Sequence, residues 1–504
     1  MLQQGIKMLL ILVLAVFLLR LALTLSHDGY LGVDGGAYAL SVMSVVGWEV
    51  AGAEAFSRPP LAPGWLLAPF LGVFGLDAGY KVWQAVASMP VVLVGYLLAR
   101  QFAPRKTALW VTAFAAVDLV LIELLVTGAL PLLGFALIGL CLWAVMNATF
   151  PDIKSLWPIL TLVVCVPLLA YTNQTSAGIA LIVLPVFAVS LAAFHPCSQV
   201  PMRIRLAIIP VTLLPVLAGL WFGGLLALTA WPYYAGVAPG GGALDYPGPV
   251  AFLAGPGNAN WYLGGFTALA GAWAVWKGRN EALRALGVTE LVLTALSVFL
   301  SYDESLMNIF FRSGLLAWVL VWPLAGAFVA SKRWVWGPRL APVALAVMAA
   351  VSVYQFQDMA RYSDQLTPDS EILLGRVGGD GVIVNTFSMS HWVSAVTGRY
   401  APPVWNASPP EKWQGEDARV RCILGWSGCG PEDARRAAGE LDVQWVLVDT
   451  RFPEGNGTSN HGAPSEQWQV TGNAPWLRLE GISGKSMLWY IDSGKEVAYG
   501  LPER

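Results

Sequence analysis

The sequence predicts a polytopic α-helical membrane domain followed by a C-terminal α/β domain outside the membrane. Three observations carry that reading. Of 504 residues, 56% are hydrophobic and only 12% are charged, and the mean hydropathy is +0.59. A soluble chain carries about 25% charged residues, so this balance cannot cover a globular surface of such size. The charge is also uneven: 30 Asp, Glu, Lys and Arg residues fall in 1–355 and 32 in 356–504. Finally, Lys and Arg alternate between successive short loops, the pattern that sets membrane orientation. A soluble enzyme, a disordered chain and a coiled coil are excluded. So is a nucleic-acid binder, because a net charge of -2 and a pI near 6.1 provide no basic footprint.

The charge step divides the chain into a membrane domain, 1–355, and a soluble domain, 356–504. A bilayer core needs about 20 apolar residues per helix. Eleven stretches meet that need: 8–25, 81–99, 107–125, 128–147, 156–172, 176–194, 206–228, 260–276, 286–301, 312–330 and 340–356. The shorter apolar run 61–75, which holds Pro63 and Pro69, reads as an interfacial or re-entrant helix. With the N-terminus inside, 13 of the 17 basic residues of the membrane domain face the cytoplasm. Arg58, Lys81 and Arg312 fall outside, and Arg20 lies within the first span. An odd number of spans then puts the C-terminal domain outside. Lys7 followed by an apolar run also fits a signal peptide, but no small-residue cleavage site follows, which favours a retained anchor.

The outer loops, 26–80 and 230–259, are long where the inner ones are short, and elaborate loops on one face carry function on that face. In the first, Asp34-Gly35-Gly36 precedes a helical stretch, Ala37 to Val46, whose polar positions Tyr38, Ser41 and Ser44 share one side. Asp34 either caps this helix or serves a site. Arg58-Pro59-Pro60-Leu61 sets a guanidinium on a braced backbone. It suits a lipid phosphate, or it snorkels to ordinary headgroups. Asp118 and Glu123 sit in or at the end of the third span, where acids are costly and face a cavity or a partner. Glu123 is the better companion for Asp34; Asp118 is a substrate contact or a structural acid beside Arg20. Arg312 is a second phosphate contact or an ion-pair partner of Asp303 or Glu304.

In order, the motifs are Asp34-Gly35-Gly36-Ala37-Tyr38-Ala39-Leu40, Arg58-Pro59-Pro60-Leu61, Trp65-Leu66-Leu67 and Gly75 before the next span. Together they resemble the C-type (GT-C) glycosyltransferase superfamily, in the branch of the protein mannosyltransferases and the aminoarabinose transferases of lipid A. The similarity is most specific over 28–100 and continues loosely through Thr172-Asn173-Gln174-Thr175 and Arg312. It implies transfer of a sugar from a polyprenyl-phosphate carrier, such as undecaprenyl phosphate, to a protein, lipid or polysaccharide acceptor on the exterior face. Asp34 matches the position that deprotonates the acceptor or holds a divalent metal ion, the one cofactor implied. Arg58 matches the contact to the carrier phosphate, and Arg312 a second such contact. Where relatives often carry an acid before Pro-Leu, this chain has Gly128, and Ser57 replaces a Glu of some relatives. A two-carboxylate metal site is therefore in doubt, unless Glu123 substitutes for the missing acid.

The chemistry stands without the family. A carboxylate takes the proton of a weakly nucleophilic hydroxyl as it attacks, and cations stabilise the charge growing on a departing lipid phosphate. Direct displacement inverts the anomeric carbon. In the tail, Gly381 to Val384 and Val443 to Val448 read as strands, with a helix over Glu432 to Leu441. Trp392, Trp405, Trp413, Trp426 and Trp468 are core residues or sugar-stacking platforms, and His391 is a surface or site residue. Cys422 and Cys429 form a disulfide in an oxidising compartment, or stay unpaired. Asn406 and Asn456 head Asn-X-Ser/Thr sequences that matter only in a glycosylating host. The expected location is a bacterial plasma membrane, with membrane lipids as partners. The competing functions are a non-catalytic receptor or assembly scaffold, in which Asp34 and Arg58 would tolerate substitution, and a secondary transporter, for which no internal repeat is evident.

Overall fold

Long Leu-, Ala- and Val-rich segments satisfy their own backbone only as helices in an apolar medium, and helices dominate the computed structural model. It describes residues 2–31, 35–45, 62–118, 121–122, 125, 130–148, 157–172, 174–194, 260–299, 307–331, 337–363, 366–378, 381–385, 390–399, 401, 419, 422–423, 430–449, 476–484 and 486–492. These residues form two compact units. One takes the described residues up to Thr24 and from Trp83 to Met359; the other takes those from Leu25 to Val82 and from Ala360 onward.

The first unit is a helical assembly. It holds α1 (Leu2–Leu25), the later part of α4 (Leu76–Ala87), α5 (Met89–Phe102), α6 (Arg105–Ala116), α7 (Leu130–Ala148), α8 (Trp157–Thr172) and α9 (Gln174–Phe194). It continues with α10 (Asn260–Lys277), α11 (Glu281–Phe299), α12 (Met307–Ser331) and most of α13 (Gly337–Ser363). Four stretches among the described residues are long and apolar enough to cross a bilayer: Lys7–Leu25, Leu76–Phe102, Leu130–Asn147 and Ser176–Phe194. Leu315–Ser331 and Leu340–Tyr354 are shorter apolar helices. The expected span 206–228 lies outside the described residues. The shared core includes Phe135, Ile138 and Leu142 of α7, Val183 and Phe187 of α9, Leu286 and Leu293 of α11, and Leu316 and Leu320 of α12. On α1 the exposed residues Ile11, Leu14 and Leu18 recur at helical spacing, a stripe fit for lipid contact.

The third expected span, 107–125, is not one continuous helix. α6 stops at Ala116, and Val117 and Asp118 turn the chain with bonds to Phe114 O and Ala115 O. Asp118 then restarts a helical turn, accepting Ile122 N on its carbonyl (3.0 Å) and Leu121 N on Oδ1 (3.3 Å). A helix end leaves orphan carbonyls. Here Ala116 O accepts from Arg20 of α1 and Val117 O from Ser352 of α13.

The second unit contains α2 (Gly35–Val45), α3 (Ala62–Phe74) and the start of α4. Its remaining elements are α14 (Pro368–Leu374), β1 (Val382–Asn385), α15 (Ser390–Thr397), α16 (Pro431–Leu441), β2 (Val443–Asp449), β3 (Leu477–Ser483) and β4 (Ser486–Ile491). α3 occupies the run expected to form a short interfacial or re-entrant helix. The sheet order is β1-β2-β4-β3, with β1 parallel to β2 and the other pairs antiparallel. A parallel pair needs a crossover, and the segment carrying α15 and α16 supplies it. Ala434, Ala437, Ala438 and Leu441 recur along one face of α16 and pack with Val382, Val384, Val443 and Val446 of the sheet. Cys422 joins that core and is disulfide-bonded; Cys429, the partner the sequence suggests, lies outside the described residues.

Candidate functional site

Asp34, Arg58 and Glu123 lie outside the described residues, as do Trp405, Trp413, Trp426, Trp468 and the two Asn-X-Ser/Thr sites. Arg312 falls within α12, but its side chain is outside the description, as is that of His391 on α15. Tyr38 is half-buried on α2, and Asp118 is buried in the first unit. What the structure defines closely is the frame on both sides of residues 32–34.

That frame is stapled to distant sequence. After α1 the chain turns at Gly29, whose φ of 141° disfavours any side chain; a Cβ there would also approach Leu366 O to 3.1 Å. Tyr30 then pairs with Leu366 in an antiparallel bridge, with Tyr30 N donating to Leu366 O at 3.1 Å. Its hydroxyl donates to Glu371 Oε1 on α14 at 3.1 Å. Burial, and after it the nearby Glu371 carboxylate, push the Tyr30 phenol above its ordinary range. The phenol thus stays a donor. Leu31 is fully buried, and α2, starting at Gly35, buries Ala39, Leu40, Val42 and Met43. α2 packs against both α3 and α15.

Trp392 of α15 stands at the centre of this frame and is fully buried. Its ring lies 4.7 Å from that of Tyr30 and meets Tyr80 edge-on at 5.3 Å. Of its two expected roles, core packing is the one its burial matches. Lys81, counted in the sequence as an exterior cation, is only 3% exposed. Its ammonium donates to His27 O and to Asp77 Oδ2, both at 2.7 Å. A buried lysine needs such partners, and these tie α4 to the segment leading into residues 32–34. The i,i+4 spacing of Asp77 and Lys81 was the available signal. The contacts of Tyr30 with Leu366 and Glu371 had none.

In the first unit, Arg20 is fully buried. Its Nη1 donates to Ser88 O (2.7 Å) and its Nη2 to Ala116 O (3.1 Å). Asp118 attracts this cation electrostatically and accepts Trp318 Nε1 at 2.8 Å. Together these groups hold the break after α6. Among the described residues, no three His, Cys, Asp or Glu side chains converge as a metal-binding set.

No protein-family model matches the chain, and no curated protein matches its sequence. Its fold, however, is shared with known membrane glycosyltransferases. ArnT from Cupriavidus metallidurans in the apo state aligns with a TM-score of 0.58 at 12% identity, over 97% of this chain and 98% of that one. The archaeal oligosaccharyltransferase AglB from Archaeoglobus fulgidus, in complex with an inhibitory peptide and a dolichol-phosphate, aligns with a TM-score of 0.55 at 11% identity, over 91% and 71%. An oligosaccharyltransferase from Archaeoglobus fulgidus, in a complex with Zn and sulfate, aligns with a TM-score of 0.52 at 13% identity, over 88% of this chain and 68% of that one. The arabinofuranosyltransferase AftD from Mycobacteria gives 0.55 at 14% identity, over 95% of this chain and 40% of that larger one.

Proposed function

We propose that the chain is a glycosyltransferase that moves a sugar from a polyprenyl-phosphate carrier to an acceptor hydroxyl on the exterior face of a membrane. The observation that carries this reading is the fold shared with ArnT over 97% of the chain. The dolichol-phosphate in the AglB structure shows a carrier of this class on a related fold. In the proposed topology eleven spans place the N-terminus inside and residues 356–504 outside. An extracytoplasmic setting suits the disulfide at Cys422.

In the proposed chemistry Asp34 takes the acceptor proton as the oxygen attacks the anomeric carbon, with Glu123 assisting. Arg58 and Arg312 bear on the carrier phosphate, whose bond to the sugar breaks, and Tyr38 contacts the substrate. The carrier leaves as polyprenyl phosphate, and the sugar is inverted. A divalent ion held by Asp34, the other role of that position in the resemblance, would polarise the reacting oxygens; no step here depends on it. The frame of Tyr30, Lys81 and Trp392 fits a loop that must hold a base in place.

The test is to incubate the purified chain in lipid with a panel of polyprenyl-phosphate sugars and candidate acceptors. Release of carrier phosphate coupled to acceptor glycosylation is the expected result. A chain that binds these carriers but never releases phosphate would be a scaffold instead.

A further inference from the structure

α10 and α11 approach one another at two glycines. A Cβ built on Gly271 would lie 2.9 Å from Gly287 O, and one on Gly287 would lie 2.7 Å from Gly271 O. No larger residue fits either place, and this draws the next residue along the seam, Glu290, against α10: the Gly271 Cβ would come within 3.2 Å of the Glu290 Cβ. Glu290 is fully buried, and among the described residues neither of its carboxyl oxygens has a hydrogen-bond partner.

The hydroxyls around it are spent elsewhere. Thr294 Oγ1 bonds Thr267 Oγ1 and Glu290 O, each at 2.9 Å, Ser297 donates to Thr294 O, and Thr289 donates to Ala285 O. Of the cations on α10 and α11, Arg284 donates to Gly278 O and lies over the Phe194 ring, and the exposed Lys277 lies near the Trp276 ring. Arg284 and Glu281, the other charged residues of α11, precede Glu290 by six and nine residues, about 9 and 14 Å along the helix. Of the helices packed on α11, α9 carries no titratable residue. α10 adds Tyr262 and α12 adds Arg312, both with side chains outside the description.

An ionised carboxylate in this seam would be a bare charge in an apolar medium, which costs far more than keeping the proton. We propose that Glu290 is a proton-binding site within the membrane domain, a carboxylic acid that holds its proton while α10 and α11 are closed on each other. Its proton leaves only when the seam opens. This inference stands apart from the sugar-transfer reading; of that reading's residues only Arg312 enters it, as the neighbouring cation that the test checks.

The test is labelling of the full chain in lipid with an apolar carbodiimide, dicyclohexylcarbodiimide. The carboxyl O–H adds across one C=N bond: the oxygen joins the central carbon and the proton goes to nitrogen. The acylisourea then shifts its acyl group to nitrogen, losing no atoms. Peptide mass spectrometry should find one added carbodiimide on Glu290, decreasing as pH rises and absent from Glu290→Gln. A water-soluble carbodiimide with an amine should mark the exposed Glu432 but not Glu290. An unlabelled Glu290, or one labelled as readily by the water-soluble reagent, overturns the proposal. So does a Glu290 that becomes reactive only in Arg312→Gln, because it would then be an ion-pair partner and not a proton site.

Discussion

Replacing Arg20 by Met keeps most of the buried stem but removes the guanidinium that ties α1 to the ends of two other helices. Ser88 O and Ala116 O, which accept from Nη1 and Nη2, then lose those donors in a fully buried place. Each buried acceptor left unsatisfied costs about 1–3 kcal/mol, so the pair costs about 2–6 kcal/mol. Asp118 also loses the cation that attracts it. Its bonds from Trp318 Nε1 and Leu121 N survive, so this part of the loss is the smaller one. Unfolding in lipid discs or detergent, followed by tryptophan fluorescence, measures the sum. Arg20→Lys should fall between, because a single ammonium cannot span both carbonyls. Adding Asp118→Asn to Arg20→Met should recover part of the loss, with a coupling of about 0.5–3 kcal/mol. If Arg20→Met stays within about 0.5 kcal/mol of the parent, the break after α6 is held by something else and the reasoning fails.

Two further predictions concern the frame of the candidate site. Lys81→Met should destabilise the second unit and lower transfer. The loss should stay below the roughly 3–5 kcal/mol of a broken, fully buried pair, because the Asp77 side chain is 40% exposed and solvent screens it. Unchanged melting and turnover would show that this ion pair does not hold the loop. Tyr30→Phe should cost about 0.5–1.5 kcal/mol through the lost bond to Glu371. Because the folded phenol keeps its proton to higher pH than the unfolded one, the stability tied to that proton is complete below the ordinary phenol value of about 10. It declines as pH rises beyond that value. Alkaline melting curves of parent and variant that run parallel would contradict the assignment.

Helix positions were legible because apolar runs of membrane length leave the backbone little choice: 128–147 and 156–172 fall within a residue or two of α7 and α8. Strands β1 and β2 and α16 were legible for a similar reason, since β-branched runs flank a helix whose apolar residues repeat on one face; their parallel pairing was not read from the sequence. The interruption after Ala116 was not. Its cause is long-range, a guanidinium from α1 and a hydroxyl from α13 taking carbonyls that the helix would otherwise keep. The grouping of residues 25–82 with the C-terminal elements was hidden for the same reason. The Tyr30–Leu366 bridge and the Trp392 packing join segments that share no local pattern. The burial of Lys81 was not legible in composition, which counts a charge without seeing its partners. The glycine pair and Glu290 were visible as letters, but only the helix pairing reveals that they meet.

The proposed transfer reaction is tested most directly by Asp34→Asn, assayed with a polyprenyl-phosphate sugar under single-turnover conditions beside a melting curve. Loss of the general base should slow transfer by about 10²- to 10⁴-fold while carrier binding and melting stay close to the parent. Turnover near that of the parent, in a variant that is folded and binds the carrier, would contradict the account.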